Sequence, residues 1–509
     1  MAAIATEGTL NPEHRTTTLD SGVRIVTERV ESVRSVALGF WIATGSIAER
    51  ESQAGISHLL EHMLFRGTDR YGSEEIDQIF DAMGAEINAG TDKEATSLYS
   101  RVLDRHLERA FDVMSDMVFH PRFGELEAER EVVLEEIAMY EDDPQEKVFD
   151  VLGEAIFGSH PLGRAVIGSA NVVRVVTREQ LGSFHTARYL PEDIVIAAAG
   201  SVDHDALVEM ARRLDSQRAR AESAAGAGTR AQSGDAERTG SSNGDGASAP
   251  GTPVPSPQMK STAPDFVRRV RFLQKDTEQY HVCVGGGGLA RDDERRFALR
   301  VLEGVLGGTP SSRLFQEVRE RRGLAYSVFS FSNLYAETGE VGLYVGTRPE
   351  NLKQALSVIA GELERCVEDP AAEQELTRSR ENLKGRVVLA MESTAARMSH
   401  LGASVLNGLP ILSVDDVIER IDAVGIADLR ELAGELFTAR ALSVAGVGPS
   451  EAAFREAIEP LGGATGDEPP ARRPGTDDPG TGESGTDDPG TGEPETGERE
   501  QLAAQGQAG

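Results

Sequence analysis

The stretch His58-Leu59-Leu60-Glu61-His62 puts two imidazoles and a carboxylate within five residues. On a helix, positions i, i+3 and i+4 share a face, so all three side chains point the same way. Two neutral imidazoles one turn apart can hold Zn²⁺, and a carboxylate beside them can take a proton from the attacking water. The order is the mirror of the H-E-x-x-H zinc helix. Histidine is scarce, 10 residues in 509, so this spacing arises by chance in only roughly a few per cent of such chains. Taken alone, the pentapeptide also fits a buried helix whose histidines hydrogen-bond to backbone.

Catalytic zinc usually takes three protein ligands and keeps a fourth position open. The stretch from Glu125 to Ile137 is Glu-rich with an apolar stripe and reads as a strong helix. Glu129 and Glu136 lie seven apart on one face of it, and Glu135 sits about 100° further round, towards solvent. An inward carboxylate on a half-apolar face is costly unless it is paired or binds a cation. Glu136 is therefore the expected third ligand, and Glu129 a neighbouring carboxylate that orients the site. Glu131 and Glu135 belong to a solvated face.

The elements that must carry these residues fall into two parts. Residues 15–214 and 265–455 read as globular, separated by an Ala-, Gly-, Ser- and Pro-rich linker over 215–264. An acidic segment repeating Gly-Thr-Asp-Asp-Pro-Gly over 465–509 reads as a disordered tail. The two parts look like repeats. Each opens with strands, reaches a helix, and ends on a strand followed by a helix. In register, His58 matches Arg300, Glu61 matches Glu303 and His62 matches Gly304. The second copy keeps the helix and lacks both imidazoles, which favours a metal role for them in the first. The expected fold class is α+β, with two homologous halves, each an antiparallel-rich sheet packed with helices.

Composition narrows the function. The net charge is −32 without any basic cluster, which argues against general nucleic-acid binding. Two cysteines, Cys283 and Cys366, make no disulfide framework. The N-terminal stretch lacks a basic region followed by an apolar run, so no secretory signal is expected. No run of 18 apolar residues predicts a membrane span. A cytoplasmic protein is the expectation. Gly307-Gly308 ahead of Ser311-Ser312 lacks a phosphate loop's Gly-Lys-Ser/Thr ending, so these glycines are expected to end a helix.

The chain resembles the pitrilysin/insulinase-type, or inverted-zincin, peptidases, in their bacterial branch close to the processing peptidases. The marks are Gly39–Glu49, His58–Thr68, Gly84–Ala89, Glu129–Glu136 and His160–Gly163 in the first half, with Leu306–Phe315 and Val318–Ser327 in the second. The resemblance implies zinc held by His58, His62 and Glu136, with Glu61 as general base and Glu129 as supporting carboxylate. It implies that Asn88 and Ala89 lie on an edge strand that pairs with the substrate backbone. It implies that the inactive half presents Arg319 and Tyr326, whose guanidinium and hydroxyl suit a developing oxyanion. Spacing of seven would put that pair on one helical face, but Gly323 interrupts the helix. The activity implied is endopeptidase cleavage of short or unfolded peptides. The assembly implied is a homodimer, because the family encloses its chamber with four such units. A non-catalytic peptide-binding subunit is the rival reading, and the presence of His58, Glu61, His62 and Glu136 speaks against it. Val284-Gly285-Gly286-Gly287-Gly288-Leu289 departs from the family's apolar strand, and either a weakened strand or a close backbone approach follows from it.

Overall fold

The computed structural model of the chain describes residues 13–216, 264–438 and 441–463. The linker and tail expected at 215–264 and 465–509, and the N-terminal stretch 1–12, fall almost wholly outside them.

The first half carries strands β1 (His14–Thr18), β2 (Arg24–Arg29), β3 (Ser35–Ile42), β4 (Glu86–Thr91), β5 (Thr96–Leu103) and β6 (Ile194–Gly200). They form one sheet in the order β1-β2-β6-β3-β5-β4. Only the β2–β6 pair is parallel. Its helices are α1 (Ile56–Leu64), α2 (Ser73–Met83), α3 (Leu107–Phe119), α4 (Leu126–Asp142), α5 (Pro144–Phe157), α6 (Ala170–Val173), α7 (Arg178–Arg188) and α8, over 204–216.

The second half carries β7 (Val270–Gln274), β8 (Tyr280–Gly288), β9 (Ala325–Leu334), β10 (Gly339–Thr347) and β11 (Ser443–Gly448), in the order β7-β11-β8-β10-β9. Here too one pair, β7–β11, is parallel. Its helices are α9 (Arg296–Leu306), α10 (Leu352–Glu368), α11 (Glu373–Ala390), α12 (Thr394–Leu406), α13 (Val414–Ala423), α14 (Ile426–Leu436) and α15 (Glu451–Ala457). The sheets match strand for strand once β1 is set aside, so β4 and β9 are corresponding edges. The α+β class and the repeated halves stand.

The halves exchange helices. The α5 side chains Val148, Leu152, Ile156 and Phe157 pack on the second sheet, against Cys283, Phe331, Tyr344, Ala445 and Val447. In return, Met398, Leu401 and Leu406 of α12 pack on the first sheet, against Val26, Ala37, Val195, Ala197 and Ala199. The small side chains of β6 (Ile194-Val-Ile-Ala-Ala-Ala-Gly200) are buried throughout and let α12 come close. An Arg397–Glu28 ion pair and a Trp41 Nε1–H donation to Met398 Sδ at 3.4 Å also cross this boundary. Each half thus covers apolar surface of the other, and the two are held as one body.

The glycine-rich β8 is not weakened. It pairs with β10 along its whole length and with β11 over part of it. A Cβ on Gly287 would stand 2.7 Å from the Phe266 ring, and one on Gly285 would stand 2.6 Å from the Val341 carbonyl. The glycines permit close approach. Gly307 ends α9 as expected, with the Gly307 and Gly308 amides both donating to Glu303 O at 2.9 and 2.8 Å. Among the described residues, no helix is long and apolar enough to cross a membrane.

Candidate metal centre

Helix α1 forms because Ile56, Leu59, Leu60, Met63 and Leu64 are sealed in the core while His58, Glu61 and His62 occupy its open face. Its start is fixed by Glu49. That carboxylate accepts from the Gly55 amide at 2.9 Å and the Ser57 amide at 2.8 Å, satisfying two of the helix's orphan donors. Gly55 sits at φ +100°, and a Cβ there would stand 2.8 Å from the Ile167 carbonyl. Burial pushes the Glu49 carboxyl up to about 7, against the opposing pull of the two amides and Arg164.

Helix α4 brings the third donor. His58 Nε2 and His62 Nε2 lie 3.6 and 3.4 Å from Glu136 Oε2. The three donor atoms are within 4.8 Å of one another, the one such group among the described residues. Donors held about 2.0–2.1 Å from a tetrahedral zinc stand about 3.3 Å apart, so these separations suit ligands sharing one ion. The donor set, two imidazole nitrogens and one carboxylate oxygen, is that of a catalytic zinc with an open position.

Electrostatics point the same way. Burial disfavours charge on both imidazoles. At His58 it wins and holds the ring below its usual range. At His62 the hydrogen-bonding carboxylates of Glu129 and Glu136 outweigh it and push the ring up to about 9. The surroundings of His62 therefore call for positive charge, which a divalent cation supplies. His62 Nδ1 meets Glu129 Oε1 at 2.7 Å, and Arg66 pairs with Oε2 of the same carboxylate. Glu129 is 3 % exposed, so it is a buried partner and not part of the solvated face. His58 Nδ1 is buried without a hydrogen-bond partner.

Glu61 stands beside the donor group without joining it. Thr91 Oγ1, at the end of β4, donates to Glu61 Oε2 at 2.6 Å. Burial raises its carboxyl above the usual range. Asn88 and Ala89 lie on β4, whose outer edge has no neighbouring strand among the described residues. The Ala89 amide donates to Asn88 Oδ1 at 2.8 Å.

Arg319 and Tyr326 are placed elsewhere. Arg319 sits on a π-helical turn (Phe315–Glu320), Gly323 at φ +58° breaks the helix, and Tyr326 is the second residue of β9. The guanidinium stacks 4.4 Å from the Tyr326 ring centroid and donates to the Tyr326 carbonyl at 3.1 Å. Tyr326 is 78 % exposed. Within one chain this pair does not line the cavity at the metal centre. That cavity, about 590 Å³, lies between the halves and is lined by His58, Thr91 and Glu136 on one side and Arg300, Glu303 and Asn333 on the other.

Sequence spacing missed Glu49, Arg66 and Thr91. Arg66 had a signal, being one turn beyond His62 on the same face. The other two contact α1 through tertiary approach and follow no spacing rule.

Residues 24–170 match the model of the insulinase (peptidase M16) family, and residues 176–383 match that of the peptidase M16 inactive domain. An uncharacterized zinc protease of Mycobacterium tuberculosis is 40% identical over 428 residues, covering 84% of this chain and 91% of that protein. One from Streptomyces coelicolor is 39% identical over 453 residues, covering 87% and 93%. Among solved structures, a protease from Helicobacter pylori superposes with TM-score 0.72 at 20% identity, covering 86% of this chain and all of that one.

Proposed function

Because the chain belongs to the insulinase (M16) family and is a zinc metalloprotease, we propose that it is an endopeptidase of short or unfolded peptides that uses Glu61 as general base. The observation that carries this reading is the convergence of His58 Nε2, His62 Nε2 and Glu136 Oε2, with the Glu61 carboxylate beside them on the side of β4.

His58, His62 and Glu136 would hold the zinc, which would supply polarisation of the scissile carbonyl and a lowered pKa for the attacking water. Glu129 accepts from His62 Nδ1–H and so fixes the tautomer that turns Nε2 towards the site. Thr91 holds Oε2 of Glu61, leaving Oε1 to take the proton from water and pass it to the leaving amine. The raised carboxyl pKa brings this base closer to neutrality. The substrate backbone adds to the open edge of β4 at Asn88 and Ala89, displacing the Asn88 side chain from the Ala89 amide. Main-chain pairing suits extended peptides and asks little of their sequence.

Arg319 and Tyr326 reach a metal centre from a second copy of the chain, where the exposed hydroxyl and guanidinium meet the oxyanion. A homodimer follows from this arrangement. Sedimentation at micromolar concentration should give a dimer; a monomer alone overturns the shared chamber. Chelation should abolish cleavage of a peptide library, and zinc should restore it. Mass spectrometry of the products then reads the cleavage position, and cleavage that persists without metal overturns the mechanism.

A further inference from the structure

The metal helices have counterparts in the second half, and their residues invert the chemistry. Helix α9 repeats α1 with buried Ala298, Val301, Leu302, Val305 and Leu306. Helix α11 repeats α4, with Leu376 in the place of Leu126 and buried Ser379 in that of Glu129. The contact that joins His62 to Glu129 recurs at the same register, because a Cβ on Gly304 would run into the Ser379 hydroxyl. That hydroxyl donates to Val301 O at 2.8 Å. With these registers fixed, Arg300 stands for His58, Arg386 for Glu136 and Glu303 for Glu61.

Two guanidinium positions thus replace two of the three cation ligands, and Gly304 leaves no side chain in place of the other. Arg300 and Glu303 line the same cavity as His58 and Glu136. Ser332 Oγ donates to Glu303 Oε2 at 2.8 Å, tying the carboxylate to β9. Burial holds the carboxyl of half-buried Glu303 above its usual range, against the opposing pull of Arg300, Ser332 and the exposed Arg386 of α11. The trio of Arg300, Arg386 and Glu303 carries a net positive charge, and Asn333 adds a neutral amide to the same wall.

We infer that this counterpart of the metal site is a subsite for a carboxylate of the bound peptide, gripped by Arg300 from the cavity wall, with Arg386 about two turns along α11 from Ser379 as a second positive charge and Ser332 tying down Glu303. Guanidinium forks suit carboxylates geometrically, and a partly enclosed site strengthens the pairing. The inference rests on the peptidase reading. The carboxylate is either the peptide's C-terminus or an acidic side chain, and both present the same chemistry.

The test uses the full zinc-loaded chain carrying Glu61→Gln and follows binding by fluorescence anisotropy. Three labelled peptides are compared: one neutral with an amidated C-terminus, one with that terminus free, and one amidated with a single Gln replaced by Glu. At least one carboxylate form should bind about tenfold more tightly than the neutral form. Which form gains identifies the terminus or the side chain. Arg300→Gln with Arg386→Gln should reduce the ratio to about one, and Arg300→Lys with Arg386→Lys should leave an intermediate ratio. Equal binding of all three peptides overturns the inference, as does a preference that survives the double Gln variant. Thermal unfolding confirms that each variant is folded, and the single Arg300→Gln replaces a double variant that is not. Cleavage of the neutral peptide by the chain with Glu61 intact tests the peptidase reading separately.

Discussion

Helices α1 and α9 share a buried stripe and a place against their sheets, yet one carries two imidazoles and the other Arg300 and Gly304. The difference in chemistry lies on the open face, while the buried positions stay almost wholly apolar. The buried positions answer to packing, which both halves need equally. The open face answers to chemistry, and there the halves have parted. The same split runs through α4 and α11. Each buries a leucine one turn before the polar contact, but Glu129 reaches an imidazole where Ser379 reaches a backbone carbonyl. A shared scaffold thus carries a site for a cation on one side of the cavity and guanidinium groups on the other.

The largest test of this contrast is Glu61→Gln. Removing a general base costs about 10²–10⁴-fold in kcat, while the zinc content stays near one per chain by elemental analysis. Loss of zinc together with activity would place Glu61 among the ligands and redraw the comparison. Next is Glu129→Gln, which weakens the orienting bond to His62. Zinc affinity should fall about 10–100-fold in a chelator competition, and an unchanged affinity would reduce Glu129 to a packing role.

Gly304→Ala probes the other side. The added methyl runs into Ser379 and costs about 1–3 kcal/mol by urea unfolding. A neutral outcome would mean that α9 and α11 have room for a larger side chain, so that the missing imidazole is not enforced by packing. The last effect is a slope. Glu49 titrates near 7 in the folded protein, against an ordinary 4.5. The folded state then binds more protons between those values, so stability falls as pH rises from about 4.5 to about 7. Glu49→Gln should flatten that part of the unfolding-midpoint profile. At the start of α9 the N-cap amide of Arg295 is taken by Asp293, whose carboxyl is held below its usual range by Arg295, so its contribution has the opposite sign.

Much of the site was legible because its donors come as local repeats. His58, Glu61 and His62 obey the helical period, as do Glu129 and Glu136, and period alone separated Glu136 from Glu135. The duplicated halves were legible through the same buried stripes. Arg319 and Tyr326 were legible as residues but not as a place. Gly323 broke the helix, and the pair went to an exposed edge of the second sheet.

The sequence by itself determined which side chains can serve as ligands and which face of each helix they share, because a backbone period is set by neighbours along the chain. The tertiary structure decided what no period reports. It placed Glu136 within 3.6 Å of both imidazoles, put the Glu49 carboxylate on the start of α1, and set Arg300 and Glu303 across one cavity from the metal centre. It also crossed the halves, laying α5 and α12 on each other's sheets. Apart from Glu49, which lies only six to eight residues from its partners, those contacts join residues far apart in the chain, and burial of one apolar surface against another brings them together.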